Sequence, residues 1–526
     1  MKRPADALAS TEFDVLVIGG GILGACVARD AALRGLHVAL VDRGDWGGET
    51  SANSLRIIHG GLRYLQNADV VRVRESIRER STWLRIAPHL VTPLPVLVPS
   101  RGWGGRSRFA LGAALAFTDA LSSRRNRGVA ADREIPAGRV LSRAECLALV
   151  PELESRNPTG AILFHDALMY SSERLVLENV MAAVDAGAAA ANYVEVVSPV
   201  RQNGRLSGVT ARDHGDGGGP FEIRARQIVN VAGASAPNLA DILLGRPRPG
   251  RPLIVSTLAL NLGVDPTGHS VAFAVSGRTR GRQLFVVPWR ERTLIGTAHV
   301  AYDGDPTRFE LPGSAVDAFL SDVNEAWPGR AWTHTDVRFV QAGLVPGRVN
   351  ADGHTVQPDR HRWFVDHAAD GEPSLVTVAS VKYTTARRVA EESVNAVCAR
   401  LRLSAPCRSA ELPLPGAPDG QVSQLLATAE REHAGIAPRV LEHLVRAYGR
   451  RYADVIRGAG SDPAWLDPVG AGTPVVYAQF VHAARTEMAQ TVDDIVMRRT
   501  ELGAVGLDTP QARSLAAAAL RAGHSA

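Results

Sequence analysis

A glycine-rich turn directly after a short apolar strand places the strongest constraint on the fold of this chain. Residues 13–18 read Phe-Asp-Val-Leu-Val-Ile and lead into Gly19-Gly20-Gly21-Ile22-Leu23-Gly24, which fits the pattern G-x-G-x-x-G. The first glycine of this pattern permits a tight turn, the second lets a pyrophosphate approach, and the third lets the helix pack on the strand. The helix N-terminus then offers free N–H groups and a positive dipole end to phosphate.

A carboxylate stands where such a motif requires one. Asp42 ends the second predicted strand, His37–Val41, about 20 residues after the turn, where a carboxylate accepts hydrogen bonds from ribose hydroxyls. Together these features predict a dinucleotide site that uses Gly19, Gly21, Gly24 and Asp42. The motif alone does not distinguish FAD from NAD.

Composition and charge narrow the function. The 526 residues are 45% hydrophobic and 21% charged, as in an ordinary globular chain of several domains. The net charge is +5, but the basic residues are scattered and form no nucleic-acid module, so we expect no nucleic-acid partner. Lys2 and Lys382 are lysines and every other basic residue is arginine. Lys382 is either a chance occurrence or a residue at a site that needs a compact ammonium.

Cysteine spacing and hydropathy predict the compartment. Four widely spaced cysteines form no CxxC motif, so we expect neither disulfides nor a metal site. No export signal is predicted, and no apolar run reaches the roughly 18–20 residues of a membrane span. Residues 109–117 are apolar and flanked by arginines, which fits either a membrane-surface segment or a buried helix with solvated ends. We expect a cytoplasmic protein, with contact to the inner face of the cell membrane left open.

The remaining pattern indicates an α/β fold. It predicts a Rossmann-like dinucleotide-binding domain, an antiparallel-sheet substrate layer and an α-helical C-terminal domain. The supporting segments are helices from Val70 and over Arg174–Ala186, strands at Tyr193–Val197, Leu206–Ala211, Phe221–Ile223 and Gln227–Val231, an antiparallel sheet over Leu253–Ala301, and helices from Val422 onward.

Residues 49–65, Glu-Thr-Ser-Ala-Asn-Ser-Leu-Arg-Ile-Ile-His-Gly-Gly-Leu-Arg-Tyr-Leu, resemble the flavin-contacting segment of FAD-dependent glycerol-3-phosphate dehydrogenases, with its T-S-x-x-S…H-G-G-L-R-Y-L pattern. Further similar segments are Asp166 with residues 174–176, then 229–233, 287–289, 294–297 and 382–385, and 448–450 with 487–500 near the C-terminus. The resemblance implies bound FAD and oxidation of a secondary alcohol, most simply sn-glycerol 3-phosphate to dihydroxyacetone phosphate. It further implies hydride transfer from C2 to flavin N5, with a quinone or another electron acceptor.

The same resemblance implies boundaries and site residues. Residues 12–410 would form the oxidoreductase region, with FAD-binding segments at about 12–75, 155–235 and 335–400 and substrate-binding segments at about 76–154 and 236–334; residues 411–526 would form a helical cap, with a homodimer left open. The implied catalytic residues are Arg63, Tyr64 and Lys382, and the implied FAD contacts are Thr50, Ser51, His59, Gly60, Gly61, Leu62, Val196, Gly233 and Thr384.

Departures from the family pattern concentrate on the substrate side. Where the family has G-L-R-P or G-V-R-P, with an arginine that clamps phosphate, this chain has Gly343-Leu344-Val345-Pro346, and Arg348 or Arg360 are candidate replacements. The family histidine expected near Leu258 is absent. His299, which replaces the aspartate of G-T-T-D, is either a substituted proton acceptor or a hydrogen-bonded strand-end histidine.

Three functions therefore stay open at this point. The first is a dehydrogenase of a phosphorylated polyol, and the second is a flavin-dependent oxidoreductase of amines or non-phosphorylated alcohols. The third is a flavoprotein that has lost catalysis. The same flavin architecture hosts all three, because a fold does not dictate the reaction.

Overall fold

The computed structural model describes residues 1, 3–102, 104–215, 218–246, 255–277, 283–327, 330–349, 356–358, 362–460 and 462–524. Within these ranges two sheets and a helical C-terminal region make up the fold. The first sheet contains β1 (Glu12–Ile18), β2 (Val38–Val41), β7 (Ala189–Ala191), β8 (Val194–Gln202), β9 (Arg205–Asp213), β10 (Pro220–Asn230), β17 (Trp363–Asp366) and β18 (Leu375–Ala379).

The first sheet has the parallel core predicted for a Rossmann-like domain. Its strand order is β17-β18-β10-β1-β2-β7, and the contacts from β18 through to β7 are all parallel. Apolar side chains of β1 and β2 are buried, as expected for strands covered on both faces. Because the core strands are parallel, their carboxyl ends meet at one edge, where ligands bind in open α/β sheets.

One predicted strand boundary is wrong. Phe221–Ile223 and Gln227–Val231 were expected as two strands, but β10 runs continuously from Pro220 to Asn230. Its first half pairs antiparallel with β9, and the strand also pairs parallel with β1. A single long strand thus belongs to the β8–β9 meander and to the parallel core.

The second sheet forms the substrate layer. It contains β3 (Ile57–Ile58), β4 (Val91–Ser100), β5 (Arg139–Ser142), β6 (Gly160–Met169), β11 (Val255–Val264), β12 (Ala272–Ser276), β13 (Gln283–Trp289), β14 (Arg292–Ala301), β15 (Val337–Val349) and β16 (Val356–Pro358). Its strand pairs are antiparallel except for the parallel pair β4–β12. β3, β6, β15 and β16 belong to this sheet, although the expected boundaries put them in FAD-binding segments.

Helices cover both sheets. Those of the first two layers are α1 (Ala5–Ser10), α2 (Ile22–Leu33), α3 (Val70–Ile86), α4 (Arg108–Leu121), α5 (Arg143–Leu149), α6 (Ser172–Asp185), α7 (Ala236–Leu244), α8 (Gly313–Ala326) and α9 (Ala386–Leu401). The glycine turn is followed by α2, which begins at Ile22 within the motif and is nearly completely buried. Behind the second sheet, α8 packs its apolar stripe against β12 and β14.

The C-terminal region is helical, as predicted. It comprises α10 (Val422–Glu432), α11 (Pro438–Tyr448), α12 (Tyr452–Gly458), α13 (Tyr477–Thr486) and α14 (Pro510–His524). Buried ion pairs join it to the rest: Arg499 contacts Asp45 at 2.6 Å, and Arg174 of α6 contacts Glu487 at 2.8 Å. Removing one partner of such a pair would leave an uncompensated charge buried between the C-terminal region and the cofactor domain.

Among the described residues, no helix is both long and apolar enough to cross a bilayer. The apolar segment at 109–117 lies in α4, where Leu115 alone is buried and Phe109 is 87% exposed. The alternative of a buried helix is therefore wrong for this segment.

Candidate active site

The carboxyl edge of the parallel sheet gathers four segments that are far apart in sequence. Gly19 follows β1, Asp42 follows β2, Gly233 lies just after β10, and Lys382 lies just after β18. Since these strands are neighbours and run parallel, their ends converge on one crevice. The edge is thus the place where the sequence motifs act together.

The glycine turn has the close packing that the motif predicts. Gly19 has a φ of 117°, and a Cβ there would come within 2.5 Å of the Val231 carbonyl oxygen. A Cβ on Gly24 would come within 1.7 Å of the Gly19 carbonyl oxygen. Gly21 is the N-cap of α2, so the helix N-terminus opens at this edge. The turn fits a pyrophosphate held by backbone N–H groups and the helix dipole.

Asp42 is fixed beside the turn. Its carboxylate accepts hydrogen bonds from the Gly20 N–H at 2.5 Å and the Gly44 N–H at 2.7 Å. Burial raises the pKa of Asp42, and these two N–H donors oppose that rise. The Asp42 carbonyl accepts from the Val194 N–H, two residues before Val196 in β8. The Asp42 carboxylate therefore lies at the end of β2, the position from which a carboxylate binds ribose hydroxyls.

Residues 49–62, called here the flavin loop, connect the two sheets. Ser51 Oγ accepts from the N–H of Ile22, the first residue of α2, at 3.0 Å, and Thr50 Oγ1 donates to the Leu344 carbonyl of β15 at 2.7 Å. At the other end of the loop, the His59 N–H donates to Thr384 Oγ1 at 3.0 Å. The loop therefore contacts the glycine turn, the substrate sheet and the segment after β18.

The His59 end of the loop carries a polar cluster around the buried carboxylate of Asp166. His59 Nδ1 lies 2.9 Å from Asp166 Oδ2, and the Gly60 N–H donates to Asp166 Oδ1 at 2.6 Å. Arg80 of α3 contacts the same carboxylate at 3.4 Å. Burial alone would raise the pKa of Asp166, but His59, Arg80 and the Gly60 N–H hold it below its ordinary value. Asp166 holds the Nδ1 atom of His59. The His59 side chain is nevertheless 48% exposed, so part of its ring faces solvent.

Lys382 and Tyr64 form the second polar group. Lys382 Nζ lies 4.1 Å from the centroid of the Tyr64 ring, a cation–π contact. Lys382 and Thr385 line one side of a cleft whose other side is α3. Burial, followed by the charge of Arg72, lowers the pKa of Lys382 to about 8. Among the described residues no carboxylate pairs with this ammonium, which leaves it available to an anionic ligand.

The substrate sheet presents His299 and Val345 on the face toward the flavin loop. Gly343 lies against Thr50, since a Cβ on Gly343 would come within 2.9 Å of Thr50 Cα. Ala259 pairs with both Gly343 and His299, so these three residues share that face. Val345 lies on the same face two residues further and is buried. His299 is thus brought toward the loop, whereas Leu258 belongs to the core on the opposite face.

The other predicted residues have distinct environments. Arg63 and Tyr64 lie in a short 3₁₀ helix, Leu62–Asn67, that follows Gly61; Arg63 is exposed and Tyr64 partly buried. The side chains of Arg348 and Arg360 lie outside what the structure describes. The sequence pattern did not mark Asp166, Arg80 or Trp83 as site residues; Trp83 of α3 donates its indole N–H to the Thr384 carbonyl at 3.0 Å. Asp166 belongs to one of the segments that resemble the FAD-dependent glycerol-3-phosphate dehydrogenases. Its partners Arg80 and His59, however, are distant from it in sequence.

These features define a dinucleotide-binding oxidoreductase whose loop between two sheets can cover an aromatic cofactor ring. The chain matches the family model for FAD dependent oxidoreductases over residues 14–385, and the model for the C-terminal domain of alpha-glycerophosphate oxidase over residues 407–522. This chain belongs to the FAD-dependent oxidoreductase family.

Individual relatives narrow the comparison. The glycerol-3-phosphate dehydrogenase of Synechocystis sp. is 33% identical over 511 residues, covering 95% of this chain and 90% of the relative. Glycerol-3-phosphate dehydrogenase 2 of Mycobacterium tuberculosis is 32% identical over 503 residues, covering 94% and 82%. The structure of the glycerol-3-phosphate dehydrogenase from Bacillus halodurans with FAD superposes with a TM-score of 0.75 at 24% identity, covering 99% of this chain and 97% of that one. FAD is therefore the cofactor, and a small-molecule substrate and an electron acceptor follow from the family.

Proposed function

We propose that this protein oxidises sn-glycerol 3-phosphate to dihydroxyacetone phosphate and passes the electrons to a quinone or a similar acceptor. The observation that carries this proposal is the Lys382 ammonium, which faces the cleft on the Tyr64 ring without a carboxylate partner among the described residues. A partly buried cation of this kind is favourable only when an anionic group completes its environment. The names of the relatives supply the identity of that anion.

FAD would be held by the glycine turn, Asp42 and the flavin loop. When bound, it supplies a two-electron acceptor for the hydrogen at the alcohol carbon. Gly19 and Gly24 leave space for the pyrophosphate, and Asp42 accepts from the ribose hydroxyls. The contacts of Thr50, Ser51 and His59 with three separate elements hold the flavin loop in one position.

The substrate anion would be bound by Lys382 with Tyr64 beneath it. At neutral pH, below the lowered pKa of about 8, most Lys382 side chains are still protonated. An ammonium in a partly buried site stabilises negative charge more strongly than it does in water. Lys382 therefore contributes to binding and to stabilisation of developing charge at the reacting end.

His59 is the stronger of two candidates for the proton acceptor. Its Nδ1 lies 2.9 Å from Asp166 Oδ2, a contact that orients the ring as a carboxylate orients a catalytic imidazole. The backbone N–H of His59 donates to Thr384 Oγ1. Thr384 is two residues after Lys382 in the segment that follows β18, so His59 lies near that segment. His299 reaches the same side from β14 and is the second candidate.

A substrate panel tests the proposal. The FAD-loaded protein is assayed with an artificial electron-acceptor dye and glycerol 3-phosphate, glycerol, or glycine at equal concentration. We expect glycerol 3-phosphate to be oxidised most efficiently, since only it pairs with Lys382 as a dianion. Preferred oxidation of glycine or glycerol would contradict the proposal and favour the alternative that the apolar Val345 suggests, a substrate without phosphate.

We further propose peripheral membrane contact through α4 in a cytoplasmic protein. Phe109 is 87% exposed and Phe117 is 45% exposed, and a spacing of eight residues puts them on one helix face. Exposed arginines flank the helix at 106, 108, 124 and 127. This is the composition of an interfacial helix on an anionic surface. The four cysteines are unpaired, in keeping with a reducing compartment.

Vesicle co-sedimentation tests the membrane contact. We expect the protein to bind vesicles that contain phosphatidylglycerol, and the double variant Phe109→Ser, Phe117→Ser to lose this binding while it retains FAD. The substitution Val140→Ser, at another exposed apolar residue, is the control. Equal binding by the wild type and the double variant would exclude α4 as the contact.

A further inference from the structure

We propose that the C-terminal region positions two of the loops that hold FAD, through one short stretch of chain, residues 494–501, called here the contact segment. Arg498 and Arg499 act on the loop that follows β2, and Glu501 acts on the flavin loop. This inference rests on FAD as the cofactor and is independent of the proposed substrate. It gives a role to a part of the chain, 487–500, that resembles the family pattern outside the oxidoreductase region.

Asp45 is the residue at which the contact segment meets the loop after β2. Its buried carboxylate accepts hydrogen bonds from Arg498 Nε at 2.7 Å and from Arg499 Nη1 at 2.6 Å and Nη2 at 2.8 Å. Burial would raise the pKa of the Asp45 carboxyl, but Arg499 and Arg498 lower it to about 2. The carboxylate is therefore ionised and is held in place by two guanidinium groups of the C-terminal region.

The loop that contains Asp45 packs directly on the glycine turn. The buried ring of Trp46, the next residue, lies against Gly20 in the space that a Cβ would need. The Gly47 N–H donates to the Gly20 carbonyl at 3.0 Å, and the Gly20 N–H donates to the Asp42 carboxylate. A displacement of Asp45 would thus move the turn and the ribose-binding carboxylate together.

The other end of the contact segment holds the flavin loop. Glu501 Oε1 accepts from Arg56 Nη1 at 2.9 Å, and its Oε2 accepts from Arg290 Nη1 at 3.0 Å. Arg56 lies in the middle of the flavin loop, is fully buried, and has a φ of 61°. A non-glycine residue keeps this conformation only where its surroundings fix it. Glu501, together with Glu173 of α6 at 2.6 Å from Arg56, supplies those contacts.

The geometry of the contact segment suits this role. Its first six residues, Asp494–Arg499, form a π-helical turn, a rare conformation that is frequent at functional sites. Arg498 also donates to Asp494 at 2.6 Å, so the segment is held by its own contacts as well. Because one segment holds both loops, the C-terminal region sets their relative position before FAD binds, and such preorganisation lowers the cost of binding.

A second buried pair at the same interface serves as a matched control. Arg174 of α6 contacts Glu487 at 2.8 Å, and among the described residues the side chains of this pair hydrogen-bond to neither loop. The test variant is the double substitution Asp45→Asn, Arg499→Met, and the control variant is Arg174→Met, Glu487→Gln. Each removes both charges of one pair, so neither leaves one of those charges buried alone.

Release of FAD from the loaded, full-length protein tests the inference, followed as the rise of flavin fluorescence after dilution. We expect Asp45→Asn, Arg499→Met to release FAD about 10- to 100-fold faster than the wild type, and the control variant to release it at the wild-type rate. Both variants should unfold at a lower temperature, which separates lost stability from a lost FAD site. Equal acceleration in both variants, or wild-type release by the test variant, would overturn the inference.

Arg498→Met is the milder variant that decides the matter where the double variant does not fold. The Arg498 side chain is 15% exposed, and Arg499 remains in contact with Asp45 when it is removed. We expect about 3- to 10-fold faster release of FAD, with partial recovery in Arg498→Lys. Release at the wild-type rate by Arg498→Met would contradict a positioning role for this residue.

The flavin-loop end of the contact segment is tested by Glu501→Gln, with Glu487→Gln as its control. Arg56 loses a charged partner in Glu501→Gln, so we expect a changed visible circular dichroism spectrum of the bound FAD, and an unchanged spectrum in Glu487→Gln. The same spectrum in Glu501→Gln as in the wild type would overturn the assignment of Glu501. Since no substrate is present in these measurements, their outcome does not depend on whether glycerol 3-phosphate is oxidised.

Discussion

The cofactor edge and the substrate cleft are built in different ways, although they meet at the end of β18. At the cofactor edge, function depends on backbone geometry: Gly19 and Gly24 leave no room for a Cβ, and Asp42 is held by two N–H groups. In the cleft, function depends on side chains from separate segments, with Lys382 after β18 and Tyr64 in the 3₁₀ helix that precedes α3. Backbone constraints tolerate little change, whereas side chains in a cleft can be exchanged to suit another substrate.

The largest effect is expected at the glycine turn. In Gly24→Ala, the new Cβ would meet the Gly19 carbonyl oxygen at 1.7 Å, so the turn must move and the pyrophosphate site is lost. We expect purified Gly24→Ala to contain almost no FAD, measured as the flavin-to-protein absorbance ratio. The control is Gly313→Ala, because a Cβ on Gly313 has no neighbour within 4 Å. Full FAD occupancy in Gly24→Ala would break the proposed contrast between the two regions.

The second-largest effect is expected at Lys382, and it shows whether the cleft can be altered without loss of the cofactor. Lys382→Met should retain FAD but slow reduction by glycerol 3-phosphate about 100- to 1000-fold, since one preorganised charge at the reacting end is removed. Stopped-flow absorbance of the flavin band measures the rate, and Lys382→Arg should recover part of it. Loss of FAD in Lys382→Met would mean that the two regions are not separable.

A smaller effect is expected at the His59 cluster. Asp166→Asn removes the carboxylate that orients His59 and should lower kcat about 10- to 100-fold, with FAD retained. Arg80 also loses its charge partner, so thermal unfolding is measured alongside the kinetics. His59→Asn in the Asp166→Asn background should add little if both residues act as one unit. Additive losses would instead show that His59 and Asp166 act separately.

The smallest effect is a pH dependence of substrate affinity. Lys382 is protonated below its pKa of about 8, so KM for glycerol 3-phosphate should be constant below that pH and rise as pH increases through it. The groups facing Lys382 are Tyr64, Arg72, Asp69, Glu75 and Arg362, and the bound dianion should shift the inflection upward. Lys382→Met should remove the inflection. The same inflection in that variant would assign it to another group.

The sequence predicted the cofactor edge better than the substrate side. Gly19, Gly24 and Asp42 belong to a local motif whose spacing follows from one strand, one turn and one helix, so no tertiary information was needed. The continuous β10 was missed because its two halves pair with different strands, and the sequence pattern does not show where pairing changes.

On the substrate side, the sequence indicated single residues of interest but not the residues that contact them in the fold. Lys382 was distinguished by composition and Val345 by its departure from a pattern, yet the contact of Lys382 with Tyr64 depends on how β18 and α3 pack. Asp166 and Arg80 meet His59 through a sheet and a helix that are distant in sequence.

The account is tested most directly by single-turnover reduction of the FAD-loaded protein with glycerol 3-phosphate, without oxygen, using substrate with hydrogen or deuterium at C2. Bleaching of the flavin band that slows with deuterium at C2, and is about 100- to 1000-fold slower in Lys382→Met, is the predicted result. A flavin that stays oxidised in the wild type, or bleaching that neither C2 deuteration nor Lys382→Met affects, would contradict it.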